Sequence, residues 1–404
     1  MQTSLLEQFR ITPEGQEADA ILRSCVHCGF CLATCPTYQL LGDELDSPRG
    51  RIYLIKEMLE GATPTAKTQL HLDRCLTCRA CETTCPSGVR YGRLADIGRG
   101  LIETRVPRTA WQRLQRWLLR HVMVQPRRFG FFLRIAQSLR PLLPRALARK
   151  VPPRQHRRPA AAAPVALGRR MLMLDGCVQP SATPNTNAAA ARVLAGFGIE
   201  LVAAPGAGCC GALDYHLGAH QAGLNRMRRN IDAWWPLIEQ GAEAIVMTAS
   251  GCGATVREYG QLLAQDPQYA QKAERIAALT RDLGEIIAAE DRSGWNDHGT
   301  GRRIAYHAPC TLQHAQKLPG LVEGILRDAG YTLVPVVDAH LCCGSAGTYS
   351  ILQPKLSKRL LDDKLTHLQA GRPELIVTAN VGCQLHLQTA SGVPVRHWIE
   401  LFSA

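Results

Sequence analysis

One cysteine motif, present twice near the N-terminus, restricts the fold of this chain more than any other feature. The first copy, CVHCGFCLATCP, begins at Cys25 and the second, CLTCRACETTCP, begins at Cys75, so the spacing C-x2-C-x2-C-x3-C-P recurs after 50 residues. Thiolates spaced in this way bind metal, because a tight loop can bring them to one centre. The proline after each fourth cysteine lacks an N–H group and turns the chain away from the site.

The spacing is that of proteins with two [4Fe-4S] clusters, in which the fourth cysteine of each motif binds the other cluster. A pair of structural zinc sites is the alternative, but such sites usually combine two C-x2-C hooks and do not repeat three cysteines before C-P. The motifs therefore predict two clusters. Crossed binding assigns one cluster to Cys25, Cys28, Cys31 and Cys85, and the other to Cys75, Cys78, Cys81 and Cys35.

The cysteine content also bears on the compartment. The chain has 404 residues and 16 cysteines, and its first 25 residues lack the apolar core and the cleavage site of a signal peptide. In a reducing cytosol such cysteines more often hold metal or perform redox chemistry than form structural disulfides. No run of 18 or more apolar residues is present, so we expect no transmembrane helix, while peripheral membrane attachment stays open.

A second repeat covers the C-terminal part of the chain. In each copy a cysteine, an adjacent pair of cysteines before a glycine, and a last cysteine follow three apolar runs that alternate with helical stretches. The first copy contains Cys177, Cys209, Cys210 and Cys252, and the second contains Cys310, Cys342, Cys343 and Cys383. Strands that alternate with helices predict a mostly parallel sheet, which binds ligands at its carboxyl-terminal edge. We expect the cysteines of each copy to meet there.

The adjacent cysteines have two interpretations. On an extended chain one thiolate points outward and the other back into the site, and Gly211 or Gly344 behind the pair lets the backbone approach closely. This geometry suits an iron–sulfur cluster or a redox thiol pair, so each repeat is a candidate for one further cluster. Alternatively, the cysteines are small buried residues at strand ends, the remnants of an ancestral site.

These patterns predict an α+β multidomain protein. Between the first two motifs, Ile52, Ile55 and Leu59 recur at helical spacing, so the N-terminal domain is expected to be all-α. We expect a helical two-cluster ferredoxin domain at 1–104, a basic amphipathic segment with a Pro/Ala linker at 105–168, and two cysteine-rich α/β repeats at 169–298 and 299–404.

The positive charge is concentrated in one segment. The net charge is +13, yet 17 Lys and Arg residues and no Asp or Glu lie between Arg105 and Arg170. Two stretches in this segment separate apolar from polar side chains at helical periodicity, which predicts two amphipathic helices. The apolar faces are Trp111, Leu114, Trp117, Leu118, His121 and Val122, with Arg113, Arg116 and Arg120 opposite, and then Phe129, Phe132, Ile135, Ala136 and Leu139.

Three roles are compatible with these helices. Trp, Phe and Arg side chains together fit a membrane interface. Alternatively, the apolar faces pack on the protein's own domains while the arginines are solvated or face partner subunits. Nucleic-acid binding is the third role, because Arg interleaved with aromatic residues can follow phosphates and stack on bases, but no nucleic-acid-binding motif accompanies the helices and we expect no such partner.

Nearly the whole chain resembles known proteins. The CCG module is similar to the cysteine-rich domain of heterodisulfide reductase subunits, and the front part to iron-sulfur subunits of succinate and anaerobic glycerol-3-phosphate dehydrogenases. The chain resembles iron-sulfur subunits of bacterial glycolate oxidase. The stretches that carry this resemblance include SCVHCGFCLATCPTYQLLGDELDSPRGRIYLIKEMLEG, HLDRCLTCRACETTCPSGVRYG and SGVPVRHWIEL. Heterodisulfide reductase modules end in C-x-x-C, whereas Thr255 and His386 stand at that last position here. This departure argues against thiol–disulfide catalysis and against that cluster type.

The resemblance implies a role in electron transfer. Such subunits take electrons from a partner subunit with FAD, which oxidises glycolate to glyoxylate, and pass them toward membrane quinone at the cytoplasmic side of the bacterial inner membrane. No G-x-G-x-x-G motif follows a strand here, so we expect no flavin site and no catalytic residue on this chain. The equivalent subunit of a lactate or glycerol-3-phosphate dehydrogenase is the alternative, followed by an iron–sulfur protein that binds nucleic acid.

Overall fold

The computed structural model describes residues 1–155 and 168–403. The part that carries the two motifs is built of helices and loops, as the helical spacing in its sequence predicts. Its helices are α1 (Glu7–Arg10), α2 (Pro13–Ser24), α3 (Pro36–Leu41), α4 (Pro48–Leu59), α5 (Ala66–Asp73), α6 (Ala80–Thr83) and α7 (Tyr91–Arg105), with 3-10 turns at Phe30–Leu32 and Glu44–Asp46.

Helix α4 joins the two cysteine motifs, and its ends and its inner face follow from the sequence. Ser47 caps its N-terminus, because its Oγ accepts a hydrogen bond from the Gly50 N–H at 3.0 Å. Pro48 occupies the first helical position, where a missing N–H is tolerated. Ile55 is fully buried and packs against Gly98 of α7. The helix predicted between the motifs is therefore confirmed, and it contacts the turn at Phe30–Leu32 in the first motif.

Both predicted amphipathic helices are present after α7. They are α8 (Ala110–Val122) and α9 (Pro126–Leu139), and a 3-10 turn at Arg140–Leu142 and α10 (Arg145–Ala148) follow. Among the described residues, no helix has the length and apolar character needed to cross a bilayer. Most of the predicted Pro/Ala linker falls at 156–167, outside the described residues.

Helix α8 turns two of its three arginines, Arg116 and Arg120, toward the protein, whereas Arg113 is exposed. Arg116 Nη2 donates to Asp73 Oδ1 at 2.9 Å and Arg120 Nε donates to Asp214 Oδ1 at 2.7 Å, whereas Trp117 on the other face is 52% exposed. The alternative in which the apolar face of α8 packs on the protein's own domains is therefore wrong. We call the following exposed side chains the α8–α10 surface: Trp111, Leu114, Trp117, Leu118, Phe131, Phe132, Ile135, Leu139, Leu142 and Leu147.

The C-terminal part forms two parallel four-stranded sheets, which confirms the α+β class. The first, in the order β2-β1-β3-β4, contains β1 (Arg169–Met173), β2 (Ile199–Ala203), β3 (Ile245–Met247) and β4 (Thr280–Asp282). The second, in the order β6-β5-β7-β8, contains β5 (Arg303–His307), β6 (Thr332–Leu333), β7 (Leu375–Thr378) and β8 (Val395–His397). Every strand pairing among the described residues is parallel.

Helices connect the strands of each sheet. In the first repeat they are α11 (Gln179–Ala182), α12 (Pro184–Gly196), α13 (Ala212–His216), α14 (His220–Glu239), α15 (Ser250–Arg257), α16 (Tyr259–Leu262), α17 (Ala270–Leu279) and α18 (Leu283–Ala288). In the second they are α19 (Leu321–Asp328), α20 (Tyr349–Leu352), α21 (Pro354–Gln369) and α22 (Val381–Gln388), together with a π turn at Thr311–Ala315 and a 3-10 turn at Trp398–Phe402. A further 3-10 turn at Ser293–Trp295 lies at the end of the first repeat.

The two sheets meet at the ends of their central strands. Just past β3 and β7, the Ser250 N–H donates to the Ala379 carbonyl at 3.1 Å, and His397 Nε2 lies 2.9 Å from the Thr248 carbonyl oxygen. One hydrophobic core extends through both repeats, from Met171 of β1 to residues that follow β8. The carboxyl-terminal edges of the two sheets therefore face each other.

Candidate iron–sulfur centres

The first group of candidate ligands lines one cavity in the helical part of the chain. Cys25 follows α2, Cys28 and Cys31 lie in the next loop, and Cys85 comes from the second motif. Cys81 completes the cysteines around this cavity. The fourth cysteine of one motif thus lies with the first three of the other, which is the arrangement that crossed binding requires.

The second group lines a neighbouring cavity. Cys75 and Cys78 of the second motif meet Cys35 of the first motif there, again in the crossed arrangement. Cys81 borders both cavities, so the two candidate centres are adjacent. Adjacent centres are what electron exchange between two clusters needs.

The loops between the cysteines adopt a left-handed backbone at equivalent positions of the two motifs. The φ angles are 58° at His27 and 53° at Thr77, and 81° at Gly29 and 62° at Arg79. Such values cost about 1–3 kcal/mol for a residue other than glycine. Alternating right- and left-handed residues direct successive N–H groups to one side and form the anion-binding concavities seen at iron–sulfur sites. The backbone therefore fits an anionic cluster, as does the all-thiol donor set.

A buried polar network surrounds the second group of motif cysteines, and the sequence analysis did not predict it. Burial alone would raise the pKa of Cys75, but Arg51, Arg99 and a hydrogen bond from the Tyr91 hydroxyl at 3.5 Å outweigh it, so this pKa is lowered. Burial raises the pKa of Cys81 well above its ordinary value. A thiol ligand binds metal as the thiolate, so metal binding here must release protons.

The repeat cysteines gather at one larger cavity. Its volume is about 530 Å³, and it lies between α8, the second motif and the facing edges of both sheets. The repeat cysteines that line it are Cys177, Cys209, Cys210, Cys252, Cys310, Cys342 and Cys383. The prediction that cysteines of each repeat meet at strand ends is confirmed, and the two repeats contribute to the same space.

In the first repeat the four thiols form a continuous chain of contacts. Cys177 hydrogen-bonds to Cys209, and Cys210 to Cys252. Hydrogen bonds from Cys177 and Cys210 lower the pKa of Cys209, whereas hydrogen bonding to Cys209 raises the pKa of Cys177. The Tyr259 hydroxyl donates to the Cys210 carbonyl at 2.8 Å and holds the CCG turn in place.

The cysteines of the second repeat have a similar arrangement, and they lie beside the second cysteine motif. The sulfurs of Cys310 and Cys342 are 3.9 Å apart, and the Gly344 N–H donates to Cys342 Sγ at 3.4 Å. Cys78 and Cys310 both pack on the small apolar cluster that contains Cys342. The second repeat thus adjoins the second group of motif cysteines.

Thr255 and His386 stand where heterodisulfide reductase modules have their last cysteine, and both form hydrogen bonds within the protein. Thr255 Oγ1 donates to the Gly251 carbonyl at 3.2 Å. His386 Nε2 lies 3.1 Å from Ser357 Oγ, and burial lowers the pKa of His386 to about 4, so the ring is neutral. Neither residue lines the shared cavity. His386 is therefore a half-buried histidine with an ordinary hydrogen-bond partner, which is the interpretation that its sequence context favours.

The glycine of the CCG turn is expected to resist substitution. Gly344 has φ +87°, and a Cβ atom there would lie 2.7 Å from the Ser357 carbonyl oxygen, whereas Gly347, with φ +62°, has no atom within 4 Å of such a Cβ. We expect Gly344→Ala to cost about 1–3 kcal/mol more than Gly347→Ala, because it adds a steric clash to the shared left-handed strain. Thermal unfolding of the anaerobic chain measures the difference, and equal Tm values for the two variants would contradict the prediction.

Comparison with known proteins agrees with the two kinds of site. The model of a family described as "4Fe-4S dicluster domain" matches residues 21–89, and that of a "Cysteine-rich domain" family matches residues 171–257 and 304–388. The "Lactate utilization protein A" of Geobacillus kaustophilus is 30% identical, over 48% of this chain and 82% of that protein.

Two relatives match along almost the entire length. The "Probable glycolate oxidase iron-sulfur subunit" of Bacillus subtilis is 30% identical, over 91% of this chain and 88% of that protein. The "Glycolate oxidase iron-sulfur subunit" of Escherichia coli is 56% identical, over 99% of this chain and 98% of that protein. Because the likeness is this high and spans both the motif cysteines and the two repeats, the chain belongs to the family of glycolate oxidase iron-sulfur subunits.

Proposed function

We propose that this chain transfers electrons within a glycolate oxidase complex through two [4Fe-4S] clusters with crossed ligand sets. The proposed ligands are Cys25, Cys28, Cys31 and Cys85 for one cluster, and Cys75, Cys78, Cys81 and Cys35 for the other. The observation that carries the proposal is the pair of adjacent cavities, each lined by the first three cysteines of one motif and the fourth of the other, with Cys81 bordering both. The clusters supply one-electron redox chemistry, while the chain holds them, shields them and supplies positive charge through Arg51 and Arg99.

The electrons come from a partner subunit that carries FAD. Oxidation of glycolate to glyoxylate releases two electrons and two protons. FAD on the partner would take up the electrons, pass them to the clusters one at a time and release the protons to solvent. Two features support a path onward through this chain: Cys81 borders both motif cavities, and Cys78 packs beside Cys310. We propose membrane quinone as the final acceptor. We also propose that the chain divides into domains at 1–104, 105–168, 169–298 and 299–404. The two separate sheets support the boundary between the last two domains.

Purification of the anaerobic complex with its partner subunits tests this function. We expect glycolate to reduce the clusters, and electron paramagnetic resonance (EPR) spectroscopy measures this reduction. The iron content should be about 8 irons per chain if only the two motif clusters are present. About 12 or 16 would add one or two clusters in the repeats. A complex whose clusters stay oxidised with glycolate would overturn the proposal.

Lactate is the second candidate substrate of the complex. The likeness to a lactate utilization protein favours it, although that likeness covers 48% of this chain against 99% for the glycolate relative. The same reduction experiment with L-lactate, D-lactate and glycerol 3-phosphate distinguishes the candidates. Reduction by lactate without reduction by glycolate would transfer the proposal to a lactate dehydrogenase complex.

We further propose that the α8–α10 surface contacts the anionic cytoplasmic face of the inner membrane. Trp117 is 52% exposed and Leu142 is 81% exposed, and no acidic residue lies between Arg105 and Arg170 to repel anionic lipid. Because Arg116 and Arg120 hold α8 by its polar face, the apolar side chains point away from the protein.

The double variant Trp117→Ser, Phe132→Ser is expected to weaken binding to anionic lipid vesicles at least tenfold. Each exposed aromatic side chain gains about 1.5–3 kcal/mol when it is buried in an apolar environment. Co-sedimentation with vesicles of phosphatidylglycerol and phosphatidylethanolamine measures the effect. Val337→Ser serves as the control, because Val337 is 64% exposed outside this surface. If the double variant binds vesicles like the unaltered chain but no longer binds the flavin subunit, the surface belongs to the partner instead.

A further inference from the structure

The two cysteine motifs differ in what covers them. Leu76 and Ala80 of the second motif are 6% and 1% exposed, and Leu76 packs in the apolar cluster that contains Cys342 of the second repeat. The residues at the same positions of the first motif, Val26 and Phe30, are 66% and 63% exposed. The chain therefore covers one copy of the loop with its own second repeat, whereas none of the described residues covers the other copy.

Cys28 connects the exposed loop with the first group of motif cysteines. It is the only exposed one of the eight motif cysteines, all of which the structure describes. Its counterpart in the second motif, Cys78, instead packs on the apolar cluster that contains Cys342. Because electron transfer slows steeply with distance, an external donor reaches the first group at Cys28 more readily than it reaches the second group.

The exposed side chains around Cys28 form a continuous apolar surface. Val26 and Phe30 line the first motif cavity together with Cys28. The ring of His27 lies 4.7 Å from the ring of Tyr53 on α4, which is 47% exposed. We call Val26, Cys28, Phe30 and Tyr53 the first-motif surface. Aromatic and apolar side chains with few charges are typical of the centre of a protein–protein interface.

The charges beside this surface favour a protein partner over a lipid membrane. The basic side chains that act on His27 are Arg49 and Lys56. Arg49 pairs with Glu44, and Lys56 pairs with Glu60. These pairs leave little positive charge to attract lipid phosphates, in contrast to the basic segment that carries the α8–α10 surface.

We infer that the first-motif surface is the docking site of the flavin-carrying partner subunit, so that electrons enter this chain beside Cys28. The inference deepens the proposed function, on which it rests for the identity of the electron donor. The reduced flavin gives its two electrons one at a time to the centre held by the first group and releases its protons to solvent. Each electron then passes to the second group, which adjoins the first at Cys81 and packs on the second repeat. The partner covers the first motif as the second repeat covers the second.

The double variant Val26→Glu, Phe30→Glu tests the inference. We expect the affinity of the full chain for the flavin-carrying subunit to fall at least about tenfold, because two charges replace apolar side chains that the partner buries. Anaerobic titration of that subunit with the chain measures the affinity, and the FAD content of the co-purified complex provides a second measurement. Dithionite should still reduce both motif clusters, whereas glycolate should no longer reduce them.

Ile11→Glu is the matched control, because Ile11 is 70% exposed in the same helical part of the chain but lies outside the first-motif surface. It should bind the flavin-carrying subunit like the unaltered chain. Tyr53→Glu is the second test variant, since Tyr53 lies on α4 and outside the cysteine loop. It should also weaken binding, and it decides the matter if the double variant loses iron.

Unchanged affinity in Tyr53→Glu or in an iron-loaded double variant would overturn the inference, as would an equal loss of affinity in Ile11→Glu. Loss of vesicle binding with normal binding of the flavin-carrying subunit would also overturn it and would assign the surface to lipid. The proposed function fails by a different result, which is an unaltered complex that contains FAD but whose clusters glycolate does not reduce.

Discussion

Replacement of Cys35 by alanine should remove the cluster of the second motif, although Cys35 belongs to the first. Cys35 lines the same cavity as Cys75 and Cys78, and it is not part of the cavity around Cys25. We expect Cys35→Ala to lose about four irons and the same EPR signal as Cys78→Ala. Reduction of the final acceptor by glycolate should fall to the background rate, because the chain of carriers is broken.

The reciprocal pair provides the control. Cys85→Ala and Cys28→Ala should share the loss of the other signal, since both residues line the first cavity. Cys252→Ala, in the first repeat, should keep both motif signals. If Cys35→Ala instead shared its spectrum with Cys28→Ala, each motif would bind its own cluster and the crossed assignment would be wrong.

Arg51→Met should destabilise the protein and lower the reduction potential of the second-motif cluster together. Arg51 is fully buried on α4; its Nε donates to the His71 carbonyl at 2.7 Å, and its Nη2 to Asp46 Oδ1 at 3.3 Å. Removal of one partner from a buried ion pair costs about 3–5 kcal/mol. The same change removes a positive charge that acts on Cys75, so reduction of an anionic cluster becomes less favourable.

Arg49→Met on the same helix is the matched control. Arg49 pairs with Glu44 at 2.8 Å, but the two side chains are 32% and 43% exposed, and such pairs contribute at most about 1 kcal/mol. Thermal unfolding of the anaerobic chain and a redox titration followed by EPR measure the two effects. Equal losses of stability in both variants, or an unchanged potential of the second-motif cluster in Arg51→Met, would contradict the prediction.

Local sequence patterns were sufficient for much of the fold. The helical spacing of Ile52 and Ile55 predicted α4, and the apolar runs before Cys177 and Cys310 predicted β1 and β5. Such patterns work because each records the burial of one face of one element. Cysteines at the ends of parallel strands could likewise be placed at one sheet edge, since that rule depends on chain direction alone.

The strands and contacts that were missed depend on tertiary structure. Strands β4 and β8 have three residues each, with an exposed arginine between two buried residues, so no apolar run marks them. The inward arginine face of α8 depends on Asp73 and Asp214, which lie far away in sequence. The burial of Arg51 could not be predicted either, because a charged residue on a helix is expected to be solvated. Only the folded structure shows the buried Asp46 beside it.

The last residues of the chain have a consequence for its synthesis. Trp398 and Leu401, which follow β8, belong to the same hydrophobic core as Leu194 of α12, and Thr186 donates to Glu400, 214 residues further along, at 3.0 Å. The first repeat therefore leaves the ribosome with part of its apolar surface uncovered, and this surface stays uncovered until residues 398–401 have been made. Exposed apolar surface on an incomplete chain invites aggregation. The repeat that is made first is thus the part of the nascent protein that is exposed to the risk of aggregation for the longest time.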